Sequence, residues 1–95
     1  MTASQMAEMY YASKIAQKLK ENFHVPSQYQ SVLLETSIFF RLNERGHMHD
    51  LHIDKTSGDK GYDDFVLDTA RKSEPFPVPP SSWKDQSMVL NLKTY

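Results

Sequence analysis

Three of the four histidines crowd one short stretch: His47, His49 and His52. His47 and His49 stand two apart, so on a strand they share a face and offer two imidazole nitrogens to an ion such as zinc. Strict alternation sends His52 to the other face, which leaves no third ligand. An exposed histidine-rich strand beside a turn accounts for the same residues, and no metal ligand is assigned. Asp59, Asp63 and Asp64 are the second cluster, and paired carboxylates can do general acid–base work. They open a helical stretch, however, where the helix dipole favours acids. Ser57-Gly58-Asp59-Lys60-Gly61 has glycines and a lysine but lacks the spacing of a phosphate-binding loop, and a turn followed by a cap explains it. The serines have no G-x-S-x-G setting, and there is no cysteine to act as a nucleophile or bind metal. The chain is read as having no catalytic residue, no cofactor and no metal.

The elements that carry these residues follow from period and punctuation. From Thr2 to Asn22, Tyr11, Ile15, Leu19 and Phe23 recur at helical spacing, with Ala12 and Ala16 beside them. Thr2 with Gln5 forms a capping-box pattern, and Val25-Pro26 ends the helix. Tyr10-Tyr11 reads as one boundary and one core residue. Residues 27–31 read as a loop. Val32, Leu34, Thr36, Ile38, Phe40 and Leu42 then alternate as one face of a half-buried strand. Asn43-Glu44-Arg45-Gly46 is a hairpin turn in which Gly46 supplies a positive φ. The second strand follows, with Leu51 and Ile53 on one face and Asp50, His52 and Asp54 on the other. Asp59 caps a second helix with Tyr62, Phe65, Val66, Thr69 and Ala70 as its inner stripe. Glu74-Pro75 stops that helix. Met88, Leu90 and Leu92 then alternate with Val89, Asn91 and Lys93 in a last strand.

This order, α-β-β-α-β, predicts an α+β fold. If the sheet is antiparallel, the last strand runs against the first and pairs with it, so the strand order is 2-1-3 with both helices on one face. The expected core is Tyr11, Ile15, Leu19, Ile38, Phe40, Leu51, Ile53, Phe65, Val66, Leu90 and Leu92. Ninety-five residues suffice for a single domain, 1–95.

Composition narrows the function. Lys plus Arg is 11 and Asp plus Glu is 12, a net charge of -1, which argues against nucleic acid and against a polybasic membrane surface. Hydrophobic residues at 39% can fill a small core, so disorder is not expected. The sequence shows no signal-peptide pattern and no apolar run of transmembrane length. On composition alone it is a cytoplasmic protein or an excised soluble domain.

Two features point to interaction. Four of residues 75–80 are proline. Such a run can be a ligand for a polyproline-binding domain, or a strap that packs Phe76 and Val78 onto the core, and the strap is preferred here. The last strand is an edge by the predicted order, yet residues 87–95 contain no proline, no glycine and one charge, Lys93. An edge without such guards is a defect, a dimer seam or a docking site for an extended peptide.

Three stretches resemble the C-terminal domain of the TonB/TolA family of periplasmic energy transducers. The first runs from Tyr11 to Pro26, through Ile15, Lys18, Leu19, Asn22, Phe23 and Val25, and is similar to the opening helix of TolA-like members. The second is the hairpin with Gly46 and the block Thr56-Ser57-Gly58-Asp59, where Thr56 replaces the usual serine. The third is Tyr62-Asp63 followed by Pro75-Phe76-Pro77 and Pro79-Pro80. In order and spacing they span residues 11–95.

The resemblance implies a non-enzymatic domain at the end of a longer protein tethered to the inner membrane. It would bind a segment of an outer-membrane or periplasmic protein and pass on force from an ion-driven inner-membrane motor complex. Strand addition would use Met88, Val89, Leu90, Asn91, Leu92, Lys93 and Thr94, and the same edge offers a route to a homodimer. Two alternatives stand beside this: a related module in a motility, secretion or envelope-maintenance machine, and a metal-binding domain built on His47 and His49.

Overall fold

Thr2 starts the first helix as its sequence requires. Its hydroxyl accepts from the Gln5 backbone N–H at 3.1 Å, and the Gln5 side chain accepts from the Thr2 N–H at 2.8 Å. In the computed structural model, which describes residues 1–95, helix α1 spans Ala3–Glu21. A single 3₁₀ turn, Ser27–Tyr29, occupies the expected loop. Strands β1 (Glu35–Leu42) and β2 (Met48–Lys55) form the hairpin, helix α2 covers Lys60–Lys72, and strand β3 covers Ser87–Lys93. The sheet is antiparallel with order β2-β1-β3, as the chain order predicts.

The even-numbered residues of β1, Thr36, Ile38, Phe40 and Leu42, are all buried. Tyr11, Ile15 and Leu19 of α1 and Tyr62, Val66 and Ala70 of α2 bury with them, so both helices lie on one face. Helix α2 packs along β1 and β2. Helix α1 lies beside β3 and runs in the same direction: Gln5–Ala12 neighbour Gln86–Met88, and Lys20–Phe23 neighbour Asn91–Tyr95.

Several expectations need correction. The first strand begins at Glu35, and Val32 is exposed. The ladder nevertheless extends back to Leu34, which accepts from the Thr94 N–H at 3.0 Å. Val78 is 70% exposed, so the proline strap reaches the core through Phe76 and the buried Pro79 instead. The strap is fixed by main-chain groups: the Phe76 N–H donates to Gly46 C=O at 3.1 Å, and the Tyr11 hydroxyl donates to Pro77 C=O at 2.7 Å. Gly46 has φ +80°, and a Cβ there would stand 2.3 Å from the Phe76 carbonyl oxygen, so both turn and strap require glycine. Trp83, to which no sequence pattern gives a role, is buried edge-on against Tyr11 at 4.9 Å. Leu51, Ile53, Phe65 and Leu90, expected in the core, sit half-buried at its rim.

A further correction concerns the second strand. Opposite Phe39 lies His52, but opposite Arg41 lies His49, so Phe40 faces both Asp50 and Leu51. This is a β-bulge, with Asp50 at φ +57°. The extra residue reverses the alternation, and His49 and His52 therefore share the helix-free face. Strict alternation had put them on opposite faces.

Candidate partner-binding edge

β3 pairs with β1 in an unbroken register from Ser87–Arg41 to Lys93–Glu35. Two bonds fix which main-chain groups point inward: Thr94 N–H donates to Leu34 C=O, and Leu42 N–H donates to Gln86 C=O. In an antiparallel ladder, hydrogen-bonded and non-hydrogen-bonded pairs alternate. Met88, Leu90, Leu92 and Thr94 therefore bond to β1. Ser87, Val89, Asn91 and Lys93 aim N–H and C=O groups away from the sheet.

The side chains of β3 leave those outer groups clear. Leu92 is buried towards the helices, and Met88 and Leu90 are half-buried on the same face. Val89 is exposed on the open face. Asn91 and Lys93 are turned back over β1: Asn91 Nδ2 donates to Glu35 Oε2 at 3.0 Å, and Lys93 Nζ lies 3.9 Å from the same carboxylate. Thr94 anchors the end of the strand, its hydroxyl accepting from Leu34 N–H at 3.1 Å and donating to Val32 C=O at 2.5 Å.

The opposite edge is blunted. β2 carries register shifts at two places, and the Glu74 carboxylate accepts from the Met48 N–H. Bulges and capped main-chain groups are how natural sheets discourage strand pairing. The sheet thus has one irregular edge and one regular, uncapped edge.

The candidate chemistry of the sequence resolves into structure. Asp63 is 8% exposed and sits at the centre of a donor cluster. Its carboxylate accepts from the Thr36 hydroxyl at 2.6 Å, the Ser57 hydroxyl at 2.7 Å, the Ser57 N–H at 3.1 Å and the Thr56 hydroxyl. Burial alone would raise the Asp63 pKa; the donors outweigh it and hold the carboxyl below its ordinary value. A carboxylate so stabilised is a poor general acid or base at neutral pH, and its effect is to tie β1 and the 56–59 turn to α2. Asp59 caps that helix by accepting from the Tyr62 N–H at 3.0 Å. Asp64 is exposed and pairs with Lys60 at 3.0 Å.

His49 Nε2 lies 2.5 Å from Asp85, and His52 stacks on Phe39 at 4.7 Å. Residues 47–52 bring no group of three or more metal-ligating side chains together. The Asp63 cluster escaped sequence reasoning because its members come from three separate segments. The Thr56-Ser57 pair beside Asp59 and Asp63 was the available signal.

A family profile described as TonB C terminal matches residues 8–93. The chain belongs to the TonB C-terminal family. Its fold is shared by solved structures of low sequence identity. The solution structure of the Helicobacter pylori TonB C-terminal domain, residues 179–285, is 16% identical with a TM-score of 0.68, covering 98% of this chain and 94% of that one. The HasB C-terminal domain is 18% identical with a TM-score of 0.62, covering 99% and 76%. TolAIII, solved bound to a peptide derived from the N-terminus of TolB, is 13% identical with a TM-score of 0.62, covering 84% and 70%. Among curated protein sequences none matches closely enough to add to this. The match runs from within α1 to the end of β3, so the candidate edge lies inside the matched residues.

Proposed function

We propose that this domain is a non-enzymatic grip for an extended segment of an outer-membrane or periplasmic protein, taken up as a fourth strand along Met88–Thr94. The observation that carries the reading is the unbroken, uncapped edge of β3, with N–H and C=O groups of Ser87, Val89, Asn91 and Lys93 directed outward. Main-chain bonding of this kind gives affinity with modest dependence on side chains. The TolAIII relative in complex with a TolB peptide supports peptide binding as the family's mode of action.

On this reading residues 1–95 act as one domain of a longer periplasmic protein held at the inner membrane, which relays force from an ion-driven motor complex to the bound partner. No helix among these residues is long and apolar enough to cross a membrane, so the anchor is assigned to the parent protein. A second copy of the chain would compete for the same edge. The test is an amide chemical-shift map of the domain titrated with the tightest peptide selected from a displayed library of random nine-residue segments. Shifts centred on residues 87–94 support strand addition. Shifts confined to the exposed faces of the helices, sparing residues 87–95, overturn it.

A further inference from the structure

The strip between β3 and α1 differs at its two ends. At the start of β3, Met1, Met9, Ala12, Trp83 and Met88 surround an open depression of about 660 Å³. Met9 is 57% exposed there, and Met88 is half-covered. At the far end a depression of about 310 Å³ lies among Lys20, Phe23, Leu92, Lys93 and Tyr95. Lys20 is exposed and enters no ion pair. Lys93 lies over the Tyr95 ring at 5.3 Å. One end is therefore rich in methionine, whose flexible side chains adapt to varied shapes, with the Glu8 carboxylate and the Gln86 amide bonded to each other beside them. The other end has aromatic walls and the unpaired Lys20 ammonium, the charge of Lys93 being engaged by Glu35.

A strand added to β3 turns alternate side chains towards this strip, because residues opposite Met88 and Leu92 share their face. Those two positions are four residues apart, about 13 Å along a strand. Met9 and Lys20 on the parallel helix are about 16 Å apart along its axis. The two depressions thus lie within reach of two same-face side chains of one bound segment, and half-buried Leu90 lies between them.

We infer that the segment this domain selects carries a bulky apolar residue and a carboxylate four residues apart, the apolar residue seated on Met9, Trp83 and Met88 and the carboxylate paired with Lys20. The inference rests on the strand-addition reading and adds to it the side-chain signature of the partner. The order of the two residues sets the strand direction: apolar first gives a parallel strand, acidic first an antiparallel one.

The test uses nine-residue threonine-rich peptides with Leu and Asp four apart, in both orders, measured by fluorescence anisotropy. One order should bind at least tenfold tighter than the same peptide with Asp→Lys or Leu→Ser. Lys20→Glu, an exposed change that leaves the core untouched, should reverse the preference so that the Lys peptide binds tighter. Met9→Asp should remove the advantage of Leu over Ser. If all four peptides bind within twofold of one another while β3 amides still shift, the signature is wrong and strand addition stands. If the library-selected peptide shifts β3 but none of the designed peptides binds, the signature is again overturned alone. If no peptide of either kind perturbs β3, both readings fail.

Discussion

Asp63 shows most directly how one residue organises this fold. Its four donors come from β1 and from the turn before α2, so its loss frees groups in two elements at once. Thr36→Val removes one buried donor and should cost about 1–3 kcal/mol in denaturant unfolding. Asp63→Asn should cost at least as much, because an amide nitrogen then confronts groups that also donate. The pKa is lowered in the folded state, so this stabilisation is present above the ordinary aspartate range and is lost as pH falls through the lower folded value. Wild-type stability should therefore decline below about pH 4, and the Asn variant should lack that part of the decline; identical acid profiles would refute it. Tyr11 and Tyr62 act at the other extreme. Burial pushes both phenols up to about 12, with the Asp63 charge adding at Tyr62. Their contribution is complete below about pH 10 and lost as pH rises towards 12, so Tyr62→Phe should flatten the alkaline melting profile. Sequence reading put Asp63 in a helical first turn correctly but could not see Thr36, 27 positions away, or the burial that makes the carboxylate structural.

At the scale of elements, the sequence was most legible where side-chain period reports directly on environment. The capping box of α1, the buried face of β1 and the Asp59 cap were all readable because local chemistry decides them. The Asp50 bulge was not, since a bulge depends on how two strands fall into register and leaves no fixed residue pattern. Trp83 was missed because a lone aromatic in a loop carries no period. The direction of the β3 main-chain groups lay beyond any pattern of side chains: N–H groups point in the plane of the sheet, side chains out of it. With the parity now fixed, a proline scan has a definite expectation. Val89→Pro and Asn91→Pro should keep the melting temperature within a few degrees and weaken peptide binding, because each removes an outward N–H. Leu90→Pro removes a bond to β1 and should destabilise the domain by about 1–3 kcal/mol or more. The reverse pattern, or uniform effects along the strand, would show that the pairing has been assigned to the wrong parity.

The whole molecule is a thin sheet closed on one side only. Its core is a single cluster in which Phe40 is fully buried and stacks against Phe76 at 6.3 Å, joining β1 to the proline strap. Phe40→Ala should cost about 3–5 kcal/mol, a large share of the stability of so small a domain; a loss under about 1 kcal/mol would contradict this burial. Because the helices bury only one face and β2 is irregular, the order of the strands leaves β3 as the one regular border of the sheet. The central claim is that a partner completes that border, and amide hydrogen exchange tests it at single-residue resolution. In the free domain the N–H groups of Met88, Leu90 and Leu92 should exchange slowly and those of Val89, Asn91 and Lys93 quickly. On saturation with the selected peptide, the second set should slow by tenfold or more while the first changes little. If Val89, Asn91 and Lys93 exchange as fast in the complex as in the free domain, the partner is not held as a strand on β3.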